Sequence, residues 1–167
     1  VSGRLLAWQG PLVAFHLFAL LPMIQLGDRV RQLPVRMVAE QVVAQRRVGE
    51  PLAMIGVLKP SLHFYTDQVV LYEGKSRPAL RNLVDRLSRE RRRGFEGRPR
   101  NADGASPSVL VVINKRTTAK KHWQGLQPQV LARVGIYELW RLDRARLEQR
   151  ADELKAGGVG LTWEKPR

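Results

Sequence analysis

Residues 51–73 read PLAMIGVLKPSLHFYTDQVVLYE. Pro51 to Val57 is a short apolar run bounded by Glu50-Pro51 on one side and Lys59-Pro60 on the other, the pattern of a strand covered on both faces. Pro60 and Ser61 then open a helical turn over Leu62 to Tyr65, with Ser61 placed to cap it. Gln68 to Tyr72 returns to a strand pattern. Strand, helical turn and strand in immediate succession predict the start of an α/β sheet.

The flanking sequence extends the alternation. Before this stretch, PVRMVAEQVVAQRR from Pro34 places Val35, Val38, Ala39 and Val42 on one helical face, with Gly49 as a stop. After it, Pro78 to Arg93 is helical, with Leu80, Leu83, Val84 and Leu87 on its apolar side. Gly94 to Ser108 is rich in Gly, Pro and small polar residues and reads as a loop. Val109 to Asn114, VLVVIN, is a β-branched strand. Lys115 to Gln129 has no clear period. Val130 to Leu142 reads as one strand with a kink at Gly135. Asp143 caps a last helix that ends at Gly157-Gly158. The expected fold is α/β, a small sheet of about four strands flanked by helices, over residues 28–167.

Residues 1–27 differ in kind. No formally charged residue occurs between Arg4 and Asp28. As an ideal helix, Leu5 to Leu26 would rise about 33 Å, enough for a hydrocarbon core of about 30 Å. The expectation is an apolar transmembrane-type segment. A signal peptide is the weaker reading, since no small-x-small cleavage site follows Leu21. A buried helix of the domain is the remaining one. The chain opens with Val1, which suits an unusual start codon or the tail of a longer protein.

Composition narrows the function. The chain has 167 residues, 44% of them hydrophobic, which supports one domain with a real core and excludes a multidomain enzyme. The absence of cysteine excludes a disulfide scaffold, a thiol nucleophile and thiolate metal sites. A formal charge of +14 predicts attraction to anions, whether nucleic acid, lipid phosphate or an acidic membrane surface. His16, His63 and His122 stand at no metal-ligand spacing, and no phosphate-loop, dinucleotide or nucleophile-elbow motif occurs. No catalytic residue, metal or cofactor is assigned. Two candidate phosphate-binding groups emerge. One is Arg89, Arg91, Arg92 and Arg93, the centre of an arginine cluster. The other is Lys59 with Ser61 at the helical turn. A solvated arginine face is the plainer reading of the first.

PVRMVAEQV, Pro34 to Val42, and GEPLAMIGVLKPSLHFYTDQVVLYEG, Gly49 to Gly74, resemble a segment of the membrane glycosyltransferases that use polyprenyl-phosphate sugars. These are relatives of the dolichyl-phosphate-mannose protein mannosyltransferases and of the lipid A aminoarabinose transferase. GIYELWRLDR, Gly135 to Arg144, resembles the closing strand of the same domain. The resemblance implies that this chain is the accessory C-terminal α/β domain, or a fragment containing it, placed outside the cytoplasm after the last transmembrane helices. The family's catalytic carboxylate lies in a loop between early transmembrane helices, outside this chain. In the turn, Pro60 would fix the entry, Ser61 would cap, and Leu62, Phe64 and Tyr65 would fill space. The implied partners are the membrane, the remaining transmembrane part of the glycosyltransferase, and polyprenyl-phosphate lipid or another anionic surface. Arginines after Leu26 favour the cytoplasmic side by charge, against the family's topology. The alternative is a small basic protein binding nucleic acid non-specifically.

Overall fold

A computed structural model describes residues 2–93 and 106–164. Its centre is β3 (Ser108–Asn114), in which all seven residues are buried. β3 lies between β1 (Leu52–Ile55), parallel to it, and β5 (Tyr137–Asp143), antiparallel to it. β2 (Val70–Glu73) extends the parallel side and β4 (Gln129–Val134) the antiparallel side, giving the order β2-β1-β3-β5-β4. Alternation along the strands sends Ala53, Ile55, Val109, Val111 and Ile113 to one face. Leu52, Met54, Leu110 and Val112 go to the other.

Helices cover both faces. The first face receives Leu80, Leu83 and Leu87 of α5 (Arg77–Arg93) and Leu147 and Ala151 of α7 (Arg144–Ala156). The second receives Val35, Val38, Ala39 and Val42 of α3 (Leu33–Gln45) and Leu62 of α4 (Ser61–Thr66). The expected faces of α3 and α5 are therefore the observed ones. Asp143 caps α7, accepting a hydrogen bond from the Arg146 amide.

The sheet has five strands where about four were expected. Val130 to Leu142 is a β4–β5 hairpin rather than one kinked strand, because the chain reverses at Gly135, whose φ is +55°. The aperiodic stretch after β3 is one short helix, α6 (Lys115–Thr118), followed by turns that bury Trp123 and Leu126 against the first face. Most of the expected loop, residues 94–105, lies outside the described residues. Ser108, assigned to that loop, opens β3 and is buried.

The N-terminal segment is helical from α1 (Ser2–Phe15) through a π-helical turn (His16–Leu20) into α2 (Leu21–Arg31). Among the described residues, no helix is long and apolar enough to cross a membrane. The expected spanning helix from Leu5 to Leu26 is therefore not found, and the described large apolar side chains of this segment are not buried in the domain core either. Leu12, Val13, Phe15, Leu17, Phe18, Met23, Ile24 and Leu26 are each more than half exposed.

Candidate functional site

The Pro60–Tyr65 turn carries the sequence resemblance, and α4 holds it at the exit of β1. Ser61 is the first helical residue, not the cap: Pro60 occupies the cap position, and no side chain caps the helix. The Leu62 and His63 amides donate to the carbonyls of Lys59 and Pro60 at 3.0 and 3.1 Å, so the first turn closes on its own backbone. The Lys59 amide lies 3.4 Å from the Met54 sulfur. Two of the amides that an anion would need are thereby already engaged.

The turn divides by helical geometry. Leu62 and Thr66, four apart, face the sheet and are buried. Phe64 falls on the opposite side and is 80% exposed, so its expected place in the packing is corrected. Tyr65 is half-buried and meets α3. Its hydroxyl accepts from Arg36 Nε at 3.1 Å, and the Arg36 guanidinium lies 5.4 Å from its ring centroid. Beside this pair runs a groove of about 440 Å³ lined by Arg36, Ala39, Glu40, Val43, Ala44 and Tyr65.

The two candidate phosphate-binding groups do not meet. Lys59 and Ser61 stand at the carboxyl ends of the parallel strands, on the α3/α4 face. Arg89 stands near the far end of α5, on the other face and toward the start of β3. The Arg89 guanidinium pairs with Asp85 at 2.8 Å and lies 5.3 Å from the Trp163 ring centroid, so it helps to hold the C-terminal segment on α5. The side chains of Arg91, Arg92 and Arg93 lie outside the described residues.

Two acids that carry no site motif in the sequence are buried. Glu50 is fully buried just before β1. It accepts from Arg141 Nε at 2.9 Å, Ser108 Oγ at 2.6 Å and the Arg47 amide at 3.1 Å. Arg141 also donates to the Gln45 carbonyl at 2.6 Å, so one ion pair ties α3, β1, β3 and β5 together. Burial alone would raise the Glu50 pKa, but the bonds from Arg141, Ser108 and Arg47 together lower it below the usual carboxylate value. Glu73 is buried at the end of β2 and pairs with Arg86 at 2.9 Å. There burial prevails over Arg86 and Asn82, and its pKa is raised. Both acids sit in structural ties. Among the described residues no group of three His, Asp or Glu side chains is placed to hold a metal.

Fold and surface together define a class: a mixed-sheet α/β domain, tied by internal ion pairs and entered through an exposed apolar helical segment. The chain belongs to a glycosyltransferase family. The domain described as "Cyanobacterial RgtA-type glycosyltransferase, C-terminal domain" matches residues 45–158, from the end of α3 to just past α7. Among solved structures, ArnT from Cupriavidus metallidurans in the apo state is similar, at 15% identity and a TM-score of 0.43. That likeness covers 72% of this chain and 22% of the ArnT chain, so this chain spans about a fifth of that protein's length. No curated protein matches the chain. The family match gives the nucleic-acid alternative no support.

Proposed function

We propose that this chain is the accessory C-terminal domain of a membrane glycosyltransferase that uses a lipid-linked sugar donor. In this reading the domain stands outside the cytoplasm, at the membrane surface. It covers an active site formed by transmembrane helices and contributes to recognition of acceptor or lipid phosphate. The membership of residues 45–158 in a glycosyltransferase C-terminal family supports the enzyme class. The observation that carries the membrane placement is the run from Leu12 to Leu26, whose large apolar side chains are exposed and which leads directly into α3. Exposing that much hydrocarbon to water is unfavourable by roughly 25 cal/mol per Å², which a bilayer or neighbouring apolar helices would relieve.

The chemistry belongs to the transmembrane part in this reading, and the isolated chain transfers no sugar. The test is to incubate the purified chain with a polyprenyl-phosphate sugar and acceptor and to follow sugar release. No turnover is expected. Turnover that is abolished by a point substitution within residues 28–164 would contradict the accessory role and place catalytic groups in this domain.

A further inference from the structure

The carboxyl ends of β1, β2 and β3 open into the segments GVLKPS (Gly56–Ser61), GKSR (Gly74–Arg77) and KRTTAKKH (Lys115–His122). These segments contain no Asp or Glu. Exposed Lys75, Arg77, Lys115, Arg116 and Lys121 make these segments basic. Close contacts bind the segments into one surface. A Cβ on Gly56 would lie 2.5 Å from Thr117 Oγ1, so the β1 exit is pressed against α6. His122 Nε2 is 3.1 Å from the Lys75 carbonyl, joining the β2 exit to the segment after α6. The Lys115 amide donates at 2.9 Å to Ile136 in the β4–β5 turn, and a Cβ on the adjacent Gly135 would lie 3.4 Å from Pro34 at the start of α3.

Apolar side chains stand among the cations. Val57, Leu58 and Ile136 are 41%, 46% and 51% exposed on this edge, and Leu33 is 44% exposed where α2 passes into α3. The apolar N-terminal run therefore enters the domain at the same edge that shows cations and exposed hydrophobic tips. By contrast, the described outer surfaces of α5 and α7 show no exposed large hydrophobic residue.

We infer that this edge is a docking surface for an anionic lipid bilayer, with the parallel strands pointing their carboxyl ends at the membrane. The inference rests on the membrane reading above and adds an orientation to it. Three observations favour a bilayer as the occupant. The cations match lipid phosphates, the interleaved Val57, Leu58 and Ile136 match the headgroup–acyl boundary, and the apolar run leaves from the same edge. A free phosphate or a nucleic acid has no use for the apolar tips.

The native chain has no cysteine, so single cysteines take a polarity-sensitive fluorophore at unique positions. Leu58→Cys and Ile136→Cys report the proposed edge. Val48→Cys, at a position 89% exposed at the opposite end of the strands, is the control. Each full-length chain is mixed with vesicles of about one-third phosphatidylglycerol in phosphatidylcholine, and flotation measures binding separately. Bound chains are expected to show blue-shifted emission at 58 and 136 and unchanged emission at 48. In the Lys115→Glu/Arg116→Glu background the docked-to-undocked ratio should fall about thirtyfold and the shift largely disappear. A Lys75→Glu/Arg77→Glu background on a second segment should do the same, and Arg47→Glu at the opposite end of the strands should not. Chains that float with vesicles while positions 58 and 136 stay wet would overturn the orientation and leave the membrane reading standing. Chains that fail to float would overturn both. Equal shifts on pure phosphatidylcholine would refute the role of charge. Shifts produced by duplex DNA and not by anionic vesicles would assign the edge to nucleic acid instead.

Discussion

Two apolar stretches of this chain, Leu12–Leu26 and Ser108–Asn114, meet opposite fates. In β3 every side chain is buried, because β1 and β5 take its backbone bonds and helices cover both its faces. In the N-terminal run the large side chains are exposed, Phe18 at 81% and Met23 at 72%. Hydrophobicity is shared; what differs is whether the chain itself supplies a partner. The domain completes its own core from α3 onward. The apolar run finds no cover among the described residues, which is the physical basis for placing its partner outside.

An ionised group inserted into each stretch should separate them most sharply. Val111→Asp places a carboxylate at a fully buried position with no partner, and a loss of about 4 kcal/mol or more is expected, enough to unfold most domains of this size. Leu17→Asp, at a position 52% exposed, should change the domain's stability by less than about 0.5 kcal/mol while weakening membrane retention. Urea unfolding of both variants in mild detergent checks the pair. Equal destabilisation would mean that the run packs on the domain.

The ion pairs inside the domain give the next effect. Glu50→Gln leaves the Arg141 guanidinium beside an uncharged group, and a cost of about 3 kcal/mol is expected. The pH response follows from the direction of each shift. The folded-state pKa of Glu50 is lowered, so its contribution is present above the unfolded carboxylate value and is lost as pH falls through the folded one. The folded-state pKa of Glu73 is raised, so its contribution is present below the unfolded value and is lost as pH rises through the folded one. Glu50→Gln should therefore flatten the acid limb of the stability profile. Glu73→Gln should raise stability at neutral pH relative to the native chain. Stability measured by urea titration from pH 3 to 8 checks both signs.

Glycine substitutions give the smallest contrast. Gly56, with φ of +92° and Thr117 Oγ1 at 2.5 Å from any added Cβ, should lose about 2 kcal/mol on mutation to Ala. Gly27 in α2 would meet nothing within 4 Å, and Ala there should favour the helix by up to about 1 kcal/mol. Thermal unfolding for the first and helicity in detergent for the second provide the measurements.

What was legible in the sequence follows the same division between local and distant causes. The buried face of α3 and the core of β3 could be read because period and β-branching are local signals. The β4–β5 reversal was missed because Gly135 is its only punctuation. The thirteen residues from Val130 to Leu142 are long for one strand, and that length was the available warning. The packing role of Phe64 came from the resemblance of the turn, whereas this helix of six residues turns Leu62 and Thr66 to the sheet. Glu50 carried no local signal at all, since Arg141 lies 91 residues away and only the fold brings them together. The arginine cluster and the Lys59–Ser61 turn were legible as charge, but nothing local showed that the sheet holds them at opposite ends. The acid-free segments after the three parallel strands became a single surface only once the strand order was known.

The central claim is that the chain divides at about Asp28 into a self-sufficient domain and an apolar segment whose partner lies in the membrane. The most direct measurement is to express residues 28–167 beside the full chain, mix both with washed membranes, and extract first with high salt and then with carbonate. High salt removes electrostatic binding to anionic lipid and so isolates the hydrophobic component. The account predicts that the shorter chain is released by salt and unfolds cooperatively, and that the full chain resists both treatments. A full chain that stays in solution without detergent, together with a shorter chain that does not fold, would contradict it.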